Sequence, residues 1–161
     1  MKKFLLPLLT LIPLVLIALM IFGFSAQTGE QSDQTSNSIV YWIIGKIDTS
    51  HMNAREFEDL EYFVIHGVRK TAHFLEYAAF GFFLVLHLKT YLRKKPWLFA
   101  LIIAFLYGLC DEIHQLFVSE RAMQFSDVCI DFAGAACGIA LLCLIAHFVT
   151  RLRRRSMRNS E

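Results

Sequence analysis

Four long apolar runs dominate the chain and determine its fold class. They cover residues 4–24, 70–89, 97–118 and 126–150. At about 1.5 Å of rise per residue, each helix can cross the roughly 30 Å hydrocarbon core of a bilayer. With 56% hydrophobic residues and a mean hydropathy of +0.49, the chain is more apolar than an ordinary soluble domain. The sequence predicts an all-α integral membrane protein, a four-helix bundle that forms one transmembrane domain over residues 1–161.

Basic residues are distributed unevenly, which predicts an orientation. Eleven of the sixteen lysines and arginines flank the first run, the connection between runs two and three, and the chain end. These eleven are Lys2, Lys3, Lys89, Arg93, Lys94, Lys95, Arg151, Arg153, Arg154, Arg155 and Arg158. The positive-inside rule makes these regions cytoplasmic, so both termini are predicted inside. Because topology accounts for the basic tail, no nucleic-acid partner is predicted. The first run exceeds a signal-peptide core, so it is predicted to be a retained anchor.

Residues 25–69 are predicted to form an outer loop that carries short helices. Residues 25–36 are polar and typical of a loop, and an apolar spacing around Trp42 indicates a short interfacial helix. The run Asn53-Ala-Arg-Glu56 resembles a capping box. The apolar residues after it share one face, which predicts a short amphipathic helix over the outer mouth of the bundle.

Polar residues in the last three runs lie near one end of each run. They are Lys70, His73 and Glu76 in the second run, Asp111, Glu112, His114 and Gln115 in the third, and Asp127 and Asp131 in the fourth. Ionisable groups are costly in hydrocarbon and by default mark a working site. The predicted topology, which uses none of these residues, brings all three ends to the outer side. An outward-facing polar cavity is therefore expected.

The fourth run also carries a close-packing signal. Gly134 and Gly138 have the spacing that lets two helices approach closely. Asp127 and Asp131 fall on the same helical stripe, so both acids are expected to face a neighbouring helix and not lipid.

The spaced motifs resemble those of the VanZ-like family of bacterial membrane proteins. The first block is Lys70-Thr-Ala-His73-Phe-Leu-Glu76-Tyr77-Ala-Ala-Phe-Gly81. The second block is Asp111-Glu112-Ile-His-Gln115, then Arg121, Ser126-Asp127, Asp131, Gly134 and Gly138. The segment Ser25-Ala-Gln-Thr-Gly, with Ser32 and Ser36, is similar to the family segment after the first helix. The likeness extends over residues 22–142.

The resemblance implies a multi-pass protein of the bacterial cytoplasmic membrane. His73, Glu76, Glu112, Gln115, Arg121, Asp127 and the two glycines match family motif positions. Where the family usually has asparagine, this chain has Asp131, whose negative charge a proton, a cation or Lys70 would balance. The family is named for a protein linked to low-level teicoplanin resistance, and the resemblance supplies no biochemical activity.

Two functions follow from these residues. Carboxylate and imidazole groups can relay protons, which makes His73, Glu76, Glu112 and Asp127 the candidate catalytic groups. The candidate ligand-binding residues are Lys70, Asp111, His114, Gln115, Arg121 and Asp131. Lys70 and Arg121 would lie at headgroup level, where cations bind phosphate. The predicted function is to bind or modify an envelope lipid or lipid-linked wall precursor, with an effect on glycopeptide susceptibility. The alternative is a non-catalytic envelope binding or scaffold module whose polar residues staple the helices.

A divalent metal is a further alternative for the same residues. The candidate ligands are His73, Glu76, Glu112, His114, Asp127 and Asp131. No HxxxH or HExxH spacing is present, so no metal ligand is assigned and the cofactor is left open. Cys110, Cys129, Cys137 and Cys143 lack metal-site spacing and are expected to pack as small apolar residues, with a Cys110–Cys129 bridge left open.

Overall fold

Five α-helices form the fold over residues 2–158, the part of the chain that the computed structural model describes; side chains are described from residue 5. The helices are α1 (Lys2–Ser25), α2 (Gly29–Ile44), α3 (Ala54–Leu88), α4 (Pro96–Gln115) and α5 (Phe125–Arg158). Within this range, all but α2 are long and apolar enough to cross a membrane. The prediction of an all-α bundle with four spans is therefore confirmed.

Two of the spans are longer than a bilayer requires. The helices α3 and α5 contain 35 and 34 residues. At 1.5 Å per residue each is about 50 Å long, compared with about 30 Å of hydrocarbon. The first part of α3 is rich in charge, and the last part of α5 is rich in arginine. These excess turns therefore extend past the apolar layer at opposite ends of the bundle.

The segment between the first two spans is more helical than its composition predicts. A loop is expected over residues 25–36, but α2 begins at Gly29 because Thr28 and Gln31 form a capping box. The Thr28 hydroxyl accepts a hydrogen bond from the Gln31 backbone at 3.2 Å, and the Gln31 side chain accepts one from the Thr28 backbone at 3.2 Å. The capping box predicted at Asn53 is confirmed. The helix that it starts continues without a break into the membrane span as α3.

The helix α2 packs on the first half of α3. Val40, Ile44 and Val64 form a small buried core there, and Phe57 and Leu60 pack against it. This helical hairpin is separate from the main core, which α1, α3, α4 and α5 share. It lies beside the ends of the spans that carry the polar residues.

Backbone contact between α3 and α5 is possible because both helices have glycine at their crossing. A Cβ atom at Gly134 would overlap the carbonyl oxygen of Phe74, and one at Gly138 would overlap that of Ala78. Gly81 makes the reciprocal approach to the α5 backbone. Small residues allow such approach in membranes, where packing stabilises helix pairs. The two helices run in the same direction, so their polar residues come level.

The two ends of the bundle differ in charge. The basic end contains the α3–α4 connection, residues 89–95, and the end of α5, residues 151–158. There α1 meets α3 through a 3.0 Å contact between Thr10 Oγ1 and His87 Nδ1. The opposite end, where α4 ends and α5 begins, is called the polar end here.

All four cysteines are unpaired, so the Cys110–Cys129 bridge is not formed. Of the cysteines expected to pack as small apolar residues, Cys110, Cys129 and Cys137 are exposed and Cys143 is half-buried. The inner face of α5 is taken instead by small residues such as Gly134 and Gly138, which are buried against α3.

Candidate functional site

Polar side chains from three helices meet at the polar end of the bundle. This polar cluster consists of Lys70, His73 and Glu76 on α3, Asp111, Glu112 and Gln115 on α4, and Asp127 and Asp131 on α5. The side chains from α4 and α5 in this set are all buried. They meet because α3 and α5 leave the polar end in the same direction, while α4 ends there.

Each of the two acidic side chains of α5 lies beside a basic side chain of α3. Lys70 Nζ donates to Asp127 Oδ1 at 3.0 Å, and the Ser126 hydroxyl donates to the same oxygen at 3.1 Å. Lys70 is thus committed to Asp127 and does not balance Asp131. The His73 Nδ1 atom lies 3.4 Å from Asp131 Oδ1, which is an ion-pair distance without hydrogen-bond geometry.

Glu112 and Gln115 hold the turn between α4 and α5. Glu112 Oε2 accepts a hydrogen bond from the backbone of Gln124 at 3.0 Å. Gln115 Oε1 accepts one from Arg121 Nη1 at 3.4 Å, and Arg121 Nη2 donates to the carbonyl of Phe24 at 3.3 Å. These contacts attach the turn to α4 and α1. They position the Arg121 guanidinium beside the polar cluster.

Several buried polar atoms of this region have no hydrogen-bond partner among the described residues. By strict geometry they include Ser25 Oγ, Tyr77 Oη, Asp111 Oδ2, Glu112 Oε1, Gln115 Nε2, Arg121 Nε and both carboxylate oxygens of Asp131, although Ser25 and Gln115 lie beside Asp111, and His73 lies beside Asp131. Leaving a buried donor or acceptor unpaired costs about 1–3 kcal/mol. Such groups need further partners, which bound water, an ion or a ligand can supply.

Two cavities adjoin the cluster. The first has a volume of about 140 Å³, lies between α2 and α3, and is lined by residues that include Ser32, Ser36, His73 and Glu76. The second has a volume of about 570 Å³ and is lined by residues that include Asp33, His66, Glu120, Gln124 and Asp127. Arg69 and Arg121 line both cavities. The two arginines therefore form the boundary between them.

Arg69 is a site residue that the motifs did not predict. It is the last residue of the predicted outer loop and directly precedes Lys70, the first predicted polar position. Because α3 is continuous there, Arg69, His73 and Glu76 follow at i, i+4 and i+7 and share one helix face. The same spacing can be read from the sequence if the helix is taken to begin before residue 70.

The two arginines lack an acidic partner. Among the described side chains, those of residues 5–158, neither Arg69 nor Arg121 has a carboxylate oxygen within ion-pair distance. Burial lowers the pKa of the Arg121 guanidinium and the nearby charge of Arg69 lowers it further, while the carboxylates of Asp111, Glu112 and Asp33 act in the opposite direction. A guanidinium remains protonated in proteins, so the two positive charges repel each other across the cavity wall. An anion bound between them would relieve that repulsion.

The other predicted site residues separate into those that face a cavity and those that do not. Glu76 faces the first cavity and makes no hydrogen bond or ion pair with any other described residue. Asp111 and Glu112 are buried within the cluster and line neither cavity. His114 lies to the side, with its ring stacked on Phe22 of α1 at a centroid distance of 4.9 Å. It contacts α1 and lines neither cavity, although it was predicted to bind a ligand.

The fold and the site together define a class, the polytopic helical membrane proteins that gather ionisable side chains at one end of the bundle. Residues 10–146 match the family model described as VanZ/LLP1. The chain therefore belongs to the VanZ/LLP1 family, as its motifs predicted. No curated protein sequence and no solved structure matches it.

Proposed function

We propose that the protein binds the phosphorylated headgroup of an envelope lipid or lipid-linked wall precursor at its polar end. The main support is that the cavity lined by the two arginines adjoins an apolar groove. This groove has a volume of about 410 Å³, lies between α2 and α3, and includes Ile43, Phe63 and Leu75. It shares Ile39, Val68 and Ala72 with the first cavity. A molecule with an anionic head and a hydrocarbon chain matches both parts.

The chemistry of the cavity favours phosphate over a neutral headgroup. A guanidinium offers donors in a planar fork that fits two oxygens of a phosphate. Arg69 and Arg121 each have donors free of carboxylates, and Ser32 contributes a hydroxyl group to the same wall. The Ser36 hydroxyl there donates to the carbonyl of Ser32, and Glu76 supplies one carboxylate, which the two arginines outweigh in charge. A diphosphate can engage both arginines at once, while an uncharged alcohol leaves them without an anion.

The charge distribution supports an outward orientation for this site. The basic end holds residues 89–95 and 151–158, which the positive-inside rule assigns to the cytoplasm. The polar end then faces away from the cytosol, in the outer leaflet of the bacterial cytoplasmic membrane. A protein that binds or modifies a wall precursor there would alter susceptibility to glycopeptides such as teicoplanin.

Among the candidate catalytic groups, His73 and Glu76 have the best access to a bound headgroup. Both line the first cavity together with the arginines. They are the groups that would move protons if the bound lipid is modified. Glu112 and Asp127 act in this proposal as positioning residues, because Glu112 holds the turn that carries Arg121 and Asp127 holds Lys70.

A purely structural staple is the second candidate function, and the hydrogen bonding argues against it. A staple stabilises a bundle through hydrogen bonds between helices. Here both oxygens of Asp131 and the hydroxyl of Tyr77 are buried without a hydrogen-bond partner in the described chain. The Lys70–Asp127 pair is an interhelical hydrogen bond of the kind that a staple requires. Asp131 and Tyr77 make no such hydrogen bond.

Lipid selectivity is the direct test of the proposed function. We expect the purified protein in nanodiscs to bind a polyprenyl pyrophosphate at least about tenfold more tightly than the matching polyprenol, because one charge-assisted hydrogen bond contributes about 1.5–3 kcal/mol. Native mass spectrometry with both lipids in competition measures this ratio. Equal binding of the two lipids would contradict the proposal. Release of phosphate during the incubation would separate an enzyme from a binding module.

A further inference from the structure

Three side chains from three different helices converge within the polar cluster. His73 of α3, Asp111 of α4 and Asp131 of α5 each offer one ligand atom, and these atoms all lie within 4.8 Å of one another. Asp111 and Asp131 have relative exposures of only 5% and 1%. The close packing of α3 on α5 at Gly134 and Gly138 fixes the separation of His73 and Asp131. The crossing of α3 and α5 therefore positions two of the three groups, and α4 supplies the third.

The bonding of these groups is incomplete without a ligand. Both oxygens of Asp131 and Oδ2 of Asp111 lack a partner in strict hydrogen-bond geometry, although His73 Nδ1 lies 3.4 Å from Asp131 and the side chains of Ser25 and Gln115 lie beside Asp111. The Tyr77 ring, which is fully buried, and the Asp131 side chain both border the space beside Gly108, and the Tyr77 hydroxyl also has no hydrogen-bond partner among the described residues. This hydroxyl is a neutral group outside the acidic set. Its unpaired state is an observation independent of the three proposed ligands.

The charge of the cluster calls for a cation. Lys70 is paired with Asp127 at 3.0 Å and is not available to Asp111 or Asp131. Of the side chains that the structure describes, from residue 5 to residue 158, His73 is the one basic group within ion-pair distance of Asp131, and Asp111 has none. A single imidazole cannot neutralise two ionised carboxylates, and an uncompensated buried charge is strongly unfavourable, so either a proton or a cation has to balance the remaining charge. A divalent ion would balance both carboxylates in their ionised form.

We propose that His73, Asp111 and Asp131 bind a divalent transition-metal ion. One imidazole nitrogen with two carboxylate oxygens suits Mn²⁺, Fe²⁺ or Zn²⁺, while Ca²⁺ and Mg²⁺ prefer sites made of oxygen alone. Three protein ligands leave coordination positions open. Glu112, His114 and Asp127 are not ligands in this proposal because their groups are directed to Gln124, Phe22 and Lys70.

Metal binding to the isolated protein tests this proposal apart from any lipid. We expect protein purified in detergent and stripped with EDTA to bind one Mn²⁺ or Zn²⁺ per chain in calorimetry. Loss of an outer-shell partner alone weakens metal sites about 10–100-fold, so Asp131→Asn and His73→Gln should each weaken binding at least about 100-fold. Asp59→Asn, an exposed change on α3, is the matched control and should leave the affinity unchanged.

Cobalt provides a second readout that reports ligand identity. Co²⁺ added to the stripped protein should give ligand-field absorption bands that disappear in His73→Gln. Asp111→Asn extends the series if one variant fails to elute as a monodisperse peak in size-exclusion chromatography. The proposal is overturned if the wild-type protein binds none of the three ions, or if the folded ligand variants bind them like the wild type. Lipid selectivity is measured separately, so either proposal can fail while the other survives.

Discussion

Replacing Gly138 with alanine is expected to destabilise the protein by about 1–3 kcal/mol, the usual cost of overpacking a tight interior. The added methyl group would overlap the carbonyl oxygen of Ala78, which is backbone and cannot rotate away. The helices α3 and α5 would have to separate, and their polar residues would move apart. Thermal unfolding in detergent, followed by circular dichroism, measures the loss.

Gly67 offers a matched control for this substitution. It lies on α3, and a Cβ atom there would meet nothing within 4 Å. Alanine is favoured over glycine in a helix by about 1 kcal/mol, so Gly67→Ala should be neutral or stabilising. If Gly138→Ala lowers the stability and Gly67→Ala does not, the loss comes from the contact between helices and not from helix propensity. If Gly138→Ala is as stable as Gly67→Ala, the close approach of α3 and α5 is incorrect.

Removing both arginines of the cavity wall should abolish selectivity for a phosphorylated lipid. In the double variant Arg69→Ala, Arg121→Ala, two charge-assisted contacts are lost at about 1.5–3 kcal/mol each, which corresponds to about a 100-fold loss of affinity or more. Neither side chain forms an ion pair with another side chain of residues 5–158, but Arg121→Ala also removes the two hydrogen bonds that attach the turn to α4 and α1. A monodisperse peak in size-exclusion chromatography therefore checks that the variant is folded. Competition between a polyprenyl pyrophosphate and the matching polyprenol in nanodiscs measures the change.

Two controls make this result specific. Arg55→Ala removes an exposed arginine from the same helix and should have no effect on selectivity. Arg121→Lys keeps the charge but loses the planar fork, so it should retain part of the affinity. If the double variant keeps full preference for the phosphorylated lipid, the two arginines do not bind the headgroup.

The membrane architecture could be predicted from the sequence because it depends on local properties. Run length and apolar composition determine whether a helix can span a bilayer, and both are visible in residues 97–118 and 126–150. The capping box at Asn53 was predicted for the same reason, since its two hydrogen bonds lie within four residues. The box at Thr28 is equally local, but it was overlooked because the run around it is polar.

Side-chain pairing could not be predicted, because it depends on how neighbouring helices are rotated and shifted. Lys70 is a possible partner for Asp131 by sequence. In the structure, the close contact at Gly134 sets the register of α5 against α3 so that Lys70 lies beside Asp127. Asp111 was not among the metal candidates, since no sequence spacing relates it to His73. Arg69 lies one residue before the predicted start of the second span, whereas α3 in the structure begins at Ala54.

The basic end provides a rival site for an anionic lipid. A cavity of about 720 Å³ there is lined by Ala146, His147, Thr150, Arg151 and Arg154. Such basic surfaces attract anionic headgroups without specificity. Affinity for phosphorylated lipids alone therefore does not distinguish the two ends of the bundle, and the position of the bound headgroup must be mapped.

Photo-crosslinking of the headgroup tests the central claim most directly. A polyprenyl pyrophosphate with a diazirine next to the phosphate would be bound to the protein in nanodiscs, irradiated and located by peptide mass spectrometry. The proposed site predicts labels on residues that line the first cavity, such as Gln27, Val68 and Ala72, and loss of those labels in the Arg69→Ala, Arg121→Ala variant. Labels confined to residues 146–154 at the basic end would contradict it.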